Sequence, residues 1–156
     1  HYERIREYCV FNCEQKLSSV LNEDIGKLIL RLSIAVLMLF HGYKKYIFGI
    51  EGIKTLVIKT GLPEVLAYGV YVGEIIIPIL LILGFRTRVC ALLLSFTMAF
   101  AILLAHSEKL FLIDAKTGGL AIELPLLYLL SALALFFIGG GKYSVDAKVC
   151  SCHCKV

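Results

Sequence analysis

Long apolar runs separated by short polar stretches make up most of this chain. Four runs stand out, at residues 28–48, 65–83, 89–105 and 119–138. A helix needs about 20 predominantly apolar residues to cross a hydrocarbon core of about 30 Å. The pattern therefore predicts an all-α integral membrane protein, built as a bundle of four transmembrane helices.

The two ends of the chain differ from these runs in being rich in polar and charged residues. Near the N-terminus, apolar positions recur at helical spacing: Ile5, Cys9, Cys13 and Leu17. We expect residues 1–26 to form an amphipathic helix on the membrane surface or on the inner face of the protein. A four-span membrane domain at 27–141 and a short Cys-rich tail at 142–156 complete the predicted organisation.

Helix boundaries and irregularities are also marked in the sequence. Asn22 is a good N-cap for the first span, and Glu23 and Asp24 behind it complement the positive end of the helix dipole. In the second span, Pro78 lacks a backbone N–H, so we expect a kink just past Glu74.

Composition supports the membrane assignment. The 156 residues are 59% hydrophobic and 18% charged, with a mean hydropathy of +0.85, whereas soluble domains carry about 25% charged residues. The net charge is +4 without a basic block, which argues against nucleic acid as a partner. The expected partner is the lipid bilayer.

An even number of spans places both termini on one side of the membrane. Lysine and arginine are more numerous in the loops on that side. Because cytoplasmic loops are enriched in these residues, we expect both termini to be cytoplasmic.

Each predicted span carries one titratable residue in its outer half: His41, Glu74, His106 and Glu123. A charged side chain inside a membrane helix costs about 2.5–3.5 kcal/mol on insertion scales, so such a residue usually faces a partner or a wet cavity. Two histidines and two glutamates suit a divalent metal, a proton relay, or hydrogen bonds to a lipid-soluble ligand such as a quinone. The structural alternative is that each makes an interhelical hydrogen bond or marks the end of a span.

Cysteines cluster at both ends of the chain. Cys9 and Cys13 are one helical turn apart, and the tail adds Cys150, Cys152, His153 and Cys154. In a reducing compartment such clusters more often bind metal or carry out redox chemistry than form structural disulfides. Soft thiolate ligands suit Cu(I), Zn(II) or an iron–sulfur cluster. A tail without a specific function is the alternative, and the reverse orientation would favour disulfides.

The order of several short motifs resembles the DoxX family of small four-helix membrane proteins. The resemblance covers about residues 27–146, in the segments Leu30-Arg31-Leu32, Phe40-His41-Gly42-Tyr43-Lys44-Lys45, Gly61-Leu62-Pro63, Gly84-Phe85-Arg86-Thr87-Arg88, Glu123-Leu124-Pro125 and Gly141-Lys142-Tyr143-Ser144-Val145-Asp146. Glu74 and His106 also match.

The resemblance implies a prokaryotic cytoplasmic membrane and redox work linked to quinones or thiols. Beside the four titratable residues above, the recurrent polar positions of the family match Arg31, Lys44, Arg86 and Arg88, which are therefore candidates for cofactor binding. The first hypothesis is a membrane oxidoreductase component with other redox subunits as partners. A non-enzymatic anchor or assembly subunit, with the cysteine ends holding a metal or a partner, is the second. Metal or proton transport through the acids and histidines is the third.

Overall fold

The computed structural model describes residues 21–106, 112–113 and 118–153. Within these ranges the chain is helical, apart from an isolated bridge between Ile113 and Leu120. Its helices are α1 (Glu23–Phe48), α2 (Glu51–Lys59), α3 (Glu64–Leu83), α4 (Thr87–His106), α5 (Glu123–Ile138) and α6 (Val145–His153). The predicted all-α class is confirmed.

Among the described residues, three helices are long and apolar enough to cross a membrane: Glu23–Phe48, Glu64–Leu83 and Thr87–Ala105. Only 28–33% of the residues in their most apolar windows are buried within the chain, so most of their apolar surface is left for lipid. The fourth apolar helix, α5, has 16 residues, fewer than the roughly 20 of a typical span. The four-span count therefore stays a prediction.

Local sequence signals explain where these helices begin. The side chain of Asn22 accepts a hydrogen bond from the backbone N–H of Asp24 at 2.9 Å, so the predicted N-cap is confirmed and α1 begins at Glu23. The predicted fourth span began at residue 119, but α5 begins at Glu123. Before it, Leu120 forms a bridge with Ile113, and the N–H of Ala121 donates to the carbonyl of Leu112 at 2.9 Å.

One apolar core runs between α1, α3, α4 and α5. Its fully buried members come from all four helices and interlock without polar partners: Ala35, Leu81, Ala91, Leu94, Ala132 and Leu135. Alanines on three of the helices allow close backbone approach, as is usual in membrane bundles.

A second, smaller cluster lies under α2, where Ile50, Val57 and Ala67 are buried. A polar contact also holds α2 to α3, since Lys54 Nζ lies 3.5 Å from Glu64 of α3, and it lies 3.0 Å from Glu51 of its own helix. Hydrogen bonds to Glu51 and to Tyr68 raise the pKa of Lys54, so its charge persists well into the alkaline range. Helix α2 therefore caps one end of the bundle.

The opposite end is formed by the turn at residues 84–88, the turn at residues 139–144 and the start of α6; we call it the basic end. The Ser144 hydroxyl accepts from the N–H of Ala147 at 3.3 Å and so caps α6. The tail beginning at residue 142 thus contains a helix that the sequence analysis did not predict.

Candidate functional site

Helix α3 is irregular where Glu74 lies. Residues Val72–Ile76 form a π-helical turn, in which the N–H of Ile77 donates to the carbonyl of Val72. Pro78 follows at the position whose N–H would bond to the Glu74 carbonyl in a regular α-helix. The helix is therefore irregular at Glu74 itself, whereas the kink that the sequence predicts just past Glu74 stays a prediction. Single π-turns inside helices are frequent at functional sites.

Two glycines allow neighbouring helices to approach this turn closely. Gly42 of α1 lies against Glu74, where a Cβ would overlap the Glu74 carbonyl oxygen and lie 2.8 Å from Ile75 Cγ1. On the other side, a Cβ on Gly73 would lie 2.5 Å from Thr97 Cγ2 of α4. The π-turn is therefore held between α1 and α4 with no room for added side-chain volume.

This packing brings the carboxylate of Glu74 to Lys45, which lies one helical turn beyond Gly42 on α1. Lys45 Nζ donates a hydrogen bond to Glu74 Oε1. The Glu74 side chain is 4% exposed and that of Lys45 is 32% exposed, so the acid is buried and the cation reaches towards the surface. The prediction that Glu74 faces a partner is confirmed.

The second oxygen of Glu74 is different. Oε2 is buried, and no atom of the described residues forms a hydrogen bond with it. An ionised carboxylate accepts several hydrogen bonds, and a buried acceptor without a partner costs about 1–3 kcal/mol. The site therefore holds a buried acceptor that has no partner among the described residues and is closed off from the surface in this structure.

A shallow open groove of about 320 Å³ is lined by residues that are close to Lys45 and Glu74 in the sequence. It is lined by Tyr46, next to Lys45, by Tyr71, and by Ile75 and Ile76, which follow Glu74. Its walls are aromatic and aliphatic and belong to two membrane-spanning helices, α1 and α3. The groove is at the lower end of the size range of small-molecule sites, and neither Glu74 nor Lys45 is among its lining residues.

The other predicted members of the site make contacts elsewhere and form no hydrogen bond or ion pair with Glu74 within the described ranges. His41 is exposed, and its ring meets that of the buried Tyr128 edge to face, with centroids 6.0 Å apart. Glu123 is exposed at the start of α5, with its carboxylate against Gly119. His106 ends α4, and its side chain lies outside the described part. Within the described ranges no hydrogen bond or ion pair joins His41, Glu74 and Glu123, and no group of three metal-binding side chains occurs.

Arg31, a predicted cofactor-binding residue, is buried at the basic end. Its guanidinium donates to the carbonyls of Gly140 at 2.9 Å and Tyr143 at 2.7 Å. It lies 14 residues before Lys45 on α1, a distance of about 21 Å along the helix axis. Arg31 thus fastens the 139–144 turn to α1, far from Glu74.

The remaining predicted cofactor-binding residues are exposed. Arg86 and Arg88 lie at the basic end, and Lys44 lies beside Lys45 without an ion pair in the described part of the chain. The resemblance singled out Lys44, and sequence reasoning missed Lys45 as the partner of Glu74. The available signal was the need of a membrane-buried carboxylate for a cation.

Of the predicted metal ligands, Cys9, Cys13 and Cys154 lie outside the described residues. Cys150, Cys152 and His153 belong to α6, but their side chains are not described. The thiol-bound metal stays a prediction. Along the chain α6 follows directly on the turn that holds Arg31, so these residues are joined to the basic end and not to the Glu74 site.

These features define a small polytopic membrane protein with an intramembrane carboxylate–lysine pair. The DoxX family profile matches residues 26–107, and the chain belongs to the DoxX family. An uncharacterised protein of Haemophilus influenzae is 37% identical over 125 residues, which cover 76% of this chain and 87% of that protein. "Putative oxidoreductase CatD" of Bacillus subtilis is 29% identical over 126 residues, covering 81% of this chain and 88% of CatD. No solved structure matches.

Proposed function

We propose that this protein is a membrane oxidoreductase component that binds a quinone-type carrier at Glu74 and Lys45. The observation that carries the proposal is the buried, unpartnered Oε2 of Glu74 within an ion pair. The Bacillus subtilis relative is named as an oxidoreductase, which supports a redox role. A quinone-type carrier, when bound, supplies two-electron chemistry coupled to two protons.

The residues at the site fit the ring of such a carrier. Tyr46 and Tyr71 offer aromatic faces, and Ile75 and Ile76 offer aliphatic contacts in an open groove. Offset or edge-to-face contacts between aromatic rings contribute about 0.5–1.5 kcal/mol beyond burial. Because both walls are parts of membrane-spanning helices, a ligand reaches the groove from the lipid and need not cross water.

Charge determines which redox form the site prefers. Glu74 Oε1 accepts a hydrogen bond from Lys45 Nζ, and a carboxylate held in an ion pair offers only acceptors. A hydroxyl of the reduced carrier would donate to Oε2 once the side chains that cover it move aside, whereas the carbonyls of the oxidised carrier cannot donate. Glu74 is therefore the residue that would hold the hydroxyl and accept its proton.

Binding of a short-chain quinol to the full-length protein in detergent tests this proposal. Quenching of tyrosine fluorescence by decylubiquinol, kept reduced under nitrogen, reports binding in the groove, with decylubiquinone as the comparison. We expect Glu74→Gln to weaken quinol binding at least tenfold, because a charge-assisted hydrogen bond is lost. Glu64→Gln, on the same helix but with a 53% exposed side chain, is the matched control.

Equal binding of quinol by the wild type, Glu74→Gln and Glu64→Gln would contradict the proposal. A failure of the wild type to bind either form, with its helices intact, would favour the anchor role. In that case a larger complex should co-purify with the Glu74→Gln variant as well as with the wild type.

A further inference from the structure

The basic end of the bundle carries cations that the described part of the chain leaves without carboxylate partners. Arg86, Arg88 and Lys142 are all exposed. The ion pairs found between described residues involve Lys27, Lys45 and Lys54 instead.

The acids nearest to these cations bind backbone groups. Asp146 accepts from the N–H of Arg86 at 2.6 Å and of Thr87 at 2.7 Å, and so caps α4. Asp24 accepts from the N–H of Lys142 at 3.0 Å. Both carboxylates thus fix the turns that bear the cations, while the cationic side chains stay exposed.

The same contacts hold the two cationic turns together. The N–H of Asp146 donates to the carbonyl of Gly84 at 3.1 Å. The side chain of Arg88 crosses the other turn, since a Cβ on Gly139 would lie 3.3 Å from Arg88 Nε. Three cations are therefore presented by two interlocked turns and not by separate loops.

Exposed apolar and aromatic side chains surround these cations: Phe85, Tyr143, Val145 and Val149, which are 37–56% exposed. This is the composition of a membrane–water interface, where aromatic rings lie at headgroup depth beside lysine and arginine. The basic end follows directly on the ends of membrane-spanning helices, so its cations lie level with lipid headgroups.

We propose that Arg86, Arg88 and Lys142 bind the headgroup phosphate of an anionic phospholipid. Guanidinium groups match phosphate oxygens in a two-pronged geometry, and clustered basic residues beside a membrane helix attract anionic lipids. The surrounding apolar side chains contact the first acyl carbons, which a soluble anion lacks. The N-terminus of α4 is not itself the phosphate site, because the Asp146 carboxylate already accepts hydrogen bonds from its backbone N–H groups.

Native mass spectrometry of the full-length protein in a neutral detergent tests this proposal. The protein is titrated with phosphatidylglycerol and, separately, with phosphatidylcholine of the same acyl chains. We expect phosphatidylglycerol to bind more tightly to the wild type. Arg86→Gln/Arg88→Gln should reduce that preference about thirtyfold, because each basic residue near an anionic surface contributes about fivefold.

Lys44→Gln/Lys59→Gln removes the same charge at the opposite end and should keep the preference. Equal preference in the two double variants would overturn the proposal. If Arg86→Gln/Arg88→Gln loses its helicity, the test relies on the wild type alone. Its phosphatidylglycerol adducts, followed by native mass spectrometry, should then persist in millimolar inorganic phosphate. Their displacement by phosphate, or equal binding of both lipids, would also overturn the proposal.

Discussion

Gly42 of α1 lies so close to the backbone carbonyl of Glu74 on α3 that no other residue fits there. The contact fixes how α1 is rotated against the π-turn, and that rotation directs Lys45 to the carboxylate of Glu74. The ion pair is therefore a consequence of a backbone contact one turn away.

Replacing this glycine tests the contact. In Gly42→Ala the added Cβ overlaps the Glu74 carbonyl, and forced repacking of this kind costs about 1–3 kcal/mol. We expect that loss in the free energy of unfolding, measured by denaturant titration in detergent micelles. Gly26→Ala is the control on the same helix, with open space around the added methyl. It should be neutral or stabilising by up to about 1 kcal/mol, and equal losses in the two variants would contradict the packing described here.

Removing the cation leaves the carboxylate buried and unpaired. Lys45→Met should destabilise the protein by about 3–5 kcal/mol, the usual cost of breaking a buried pair from one side. In the double variant Lys45→Met/Glu74→Gln most of that loss should be recovered, because no charge is then left buried. Lys44→Met, one residue away and without an ion pair in the described part of the chain, should change stability by less than about 0.5 kcal/mol. Strictly additive losses in the double variant would show that Lys45 and Glu74 do not interact.

At the basic end, Asp146→Ala removes the cap of α4. It also removes the hydrogen bonds by which Asp146 holds the start of α6 to Arg86 and Thr87. Loss of a charged N-cap typically costs about 0.5–2 kcal/mol. We expect trypsin to cut at Lys142 or Lys148 faster than in the wild type, in digests followed by mass spectrometry. Glu23→Ala, which removes an exposed carboxylate 3.7 Å from Lys27, is the comparison, since surface pairs contribute little. Unchanged cleavage in Asp146→Ala would mean that the Asp146 contacts do not hold this end together.

Much of the fold follows from patterns that are local in the sequence. Apolar runs of membrane length predicted the helices, and Asn22 predicted the start of the first one. Pro78 predicted a kink just past Glu74, because a proline has no backbone N–H to donate to the preceding helical turn. The start of α5 was misplaced because Leu120 and Ala121, which belong to the apolar run, pair with residues 112–113 instead of joining the helix.

The site was less predictable because it depends on helix rotation. Glu74 stood out as a charge among apolar residues, and its burial is confirmed. Its partner is Lys45 and not the neighbouring Lys44, and these two side chains differ by about 100° around α1. That choice follows from the contact between Gly42 and Glu74, which is a tertiary contact. Likewise the burial of Arg31 depends on a tertiary contact, since the turn at residues 139–144 folds over it and supplies carbonyl partners.

The carrier site that we propose at Glu74 and the cysteines of α6 belong to different parts of the fold. The predicted thiol ligands of α6 adjoin the basic end, whereas the Glu74 pair lies about 21 Å along α1 from Arg31. Direct electron transfer between the two over that distance would need an intervening cofactor. The proposed carrier site and the cysteine-bearing tail are therefore better treated as separate sites with separate partners.

The most direct test of the central claim is to identify what the protein carries when it is purified. Full-length wild type and Glu74→Gln would be purified in parallel, and their optical spectra and organic extracts compared. The account predicts a quinone-type compound in the wild type that is strongly reduced or absent in Glu74→Gln, with helicity equal in both. Equal amounts of such a compound in the two proteins would contradict the assignment of Glu74 as its binding residue.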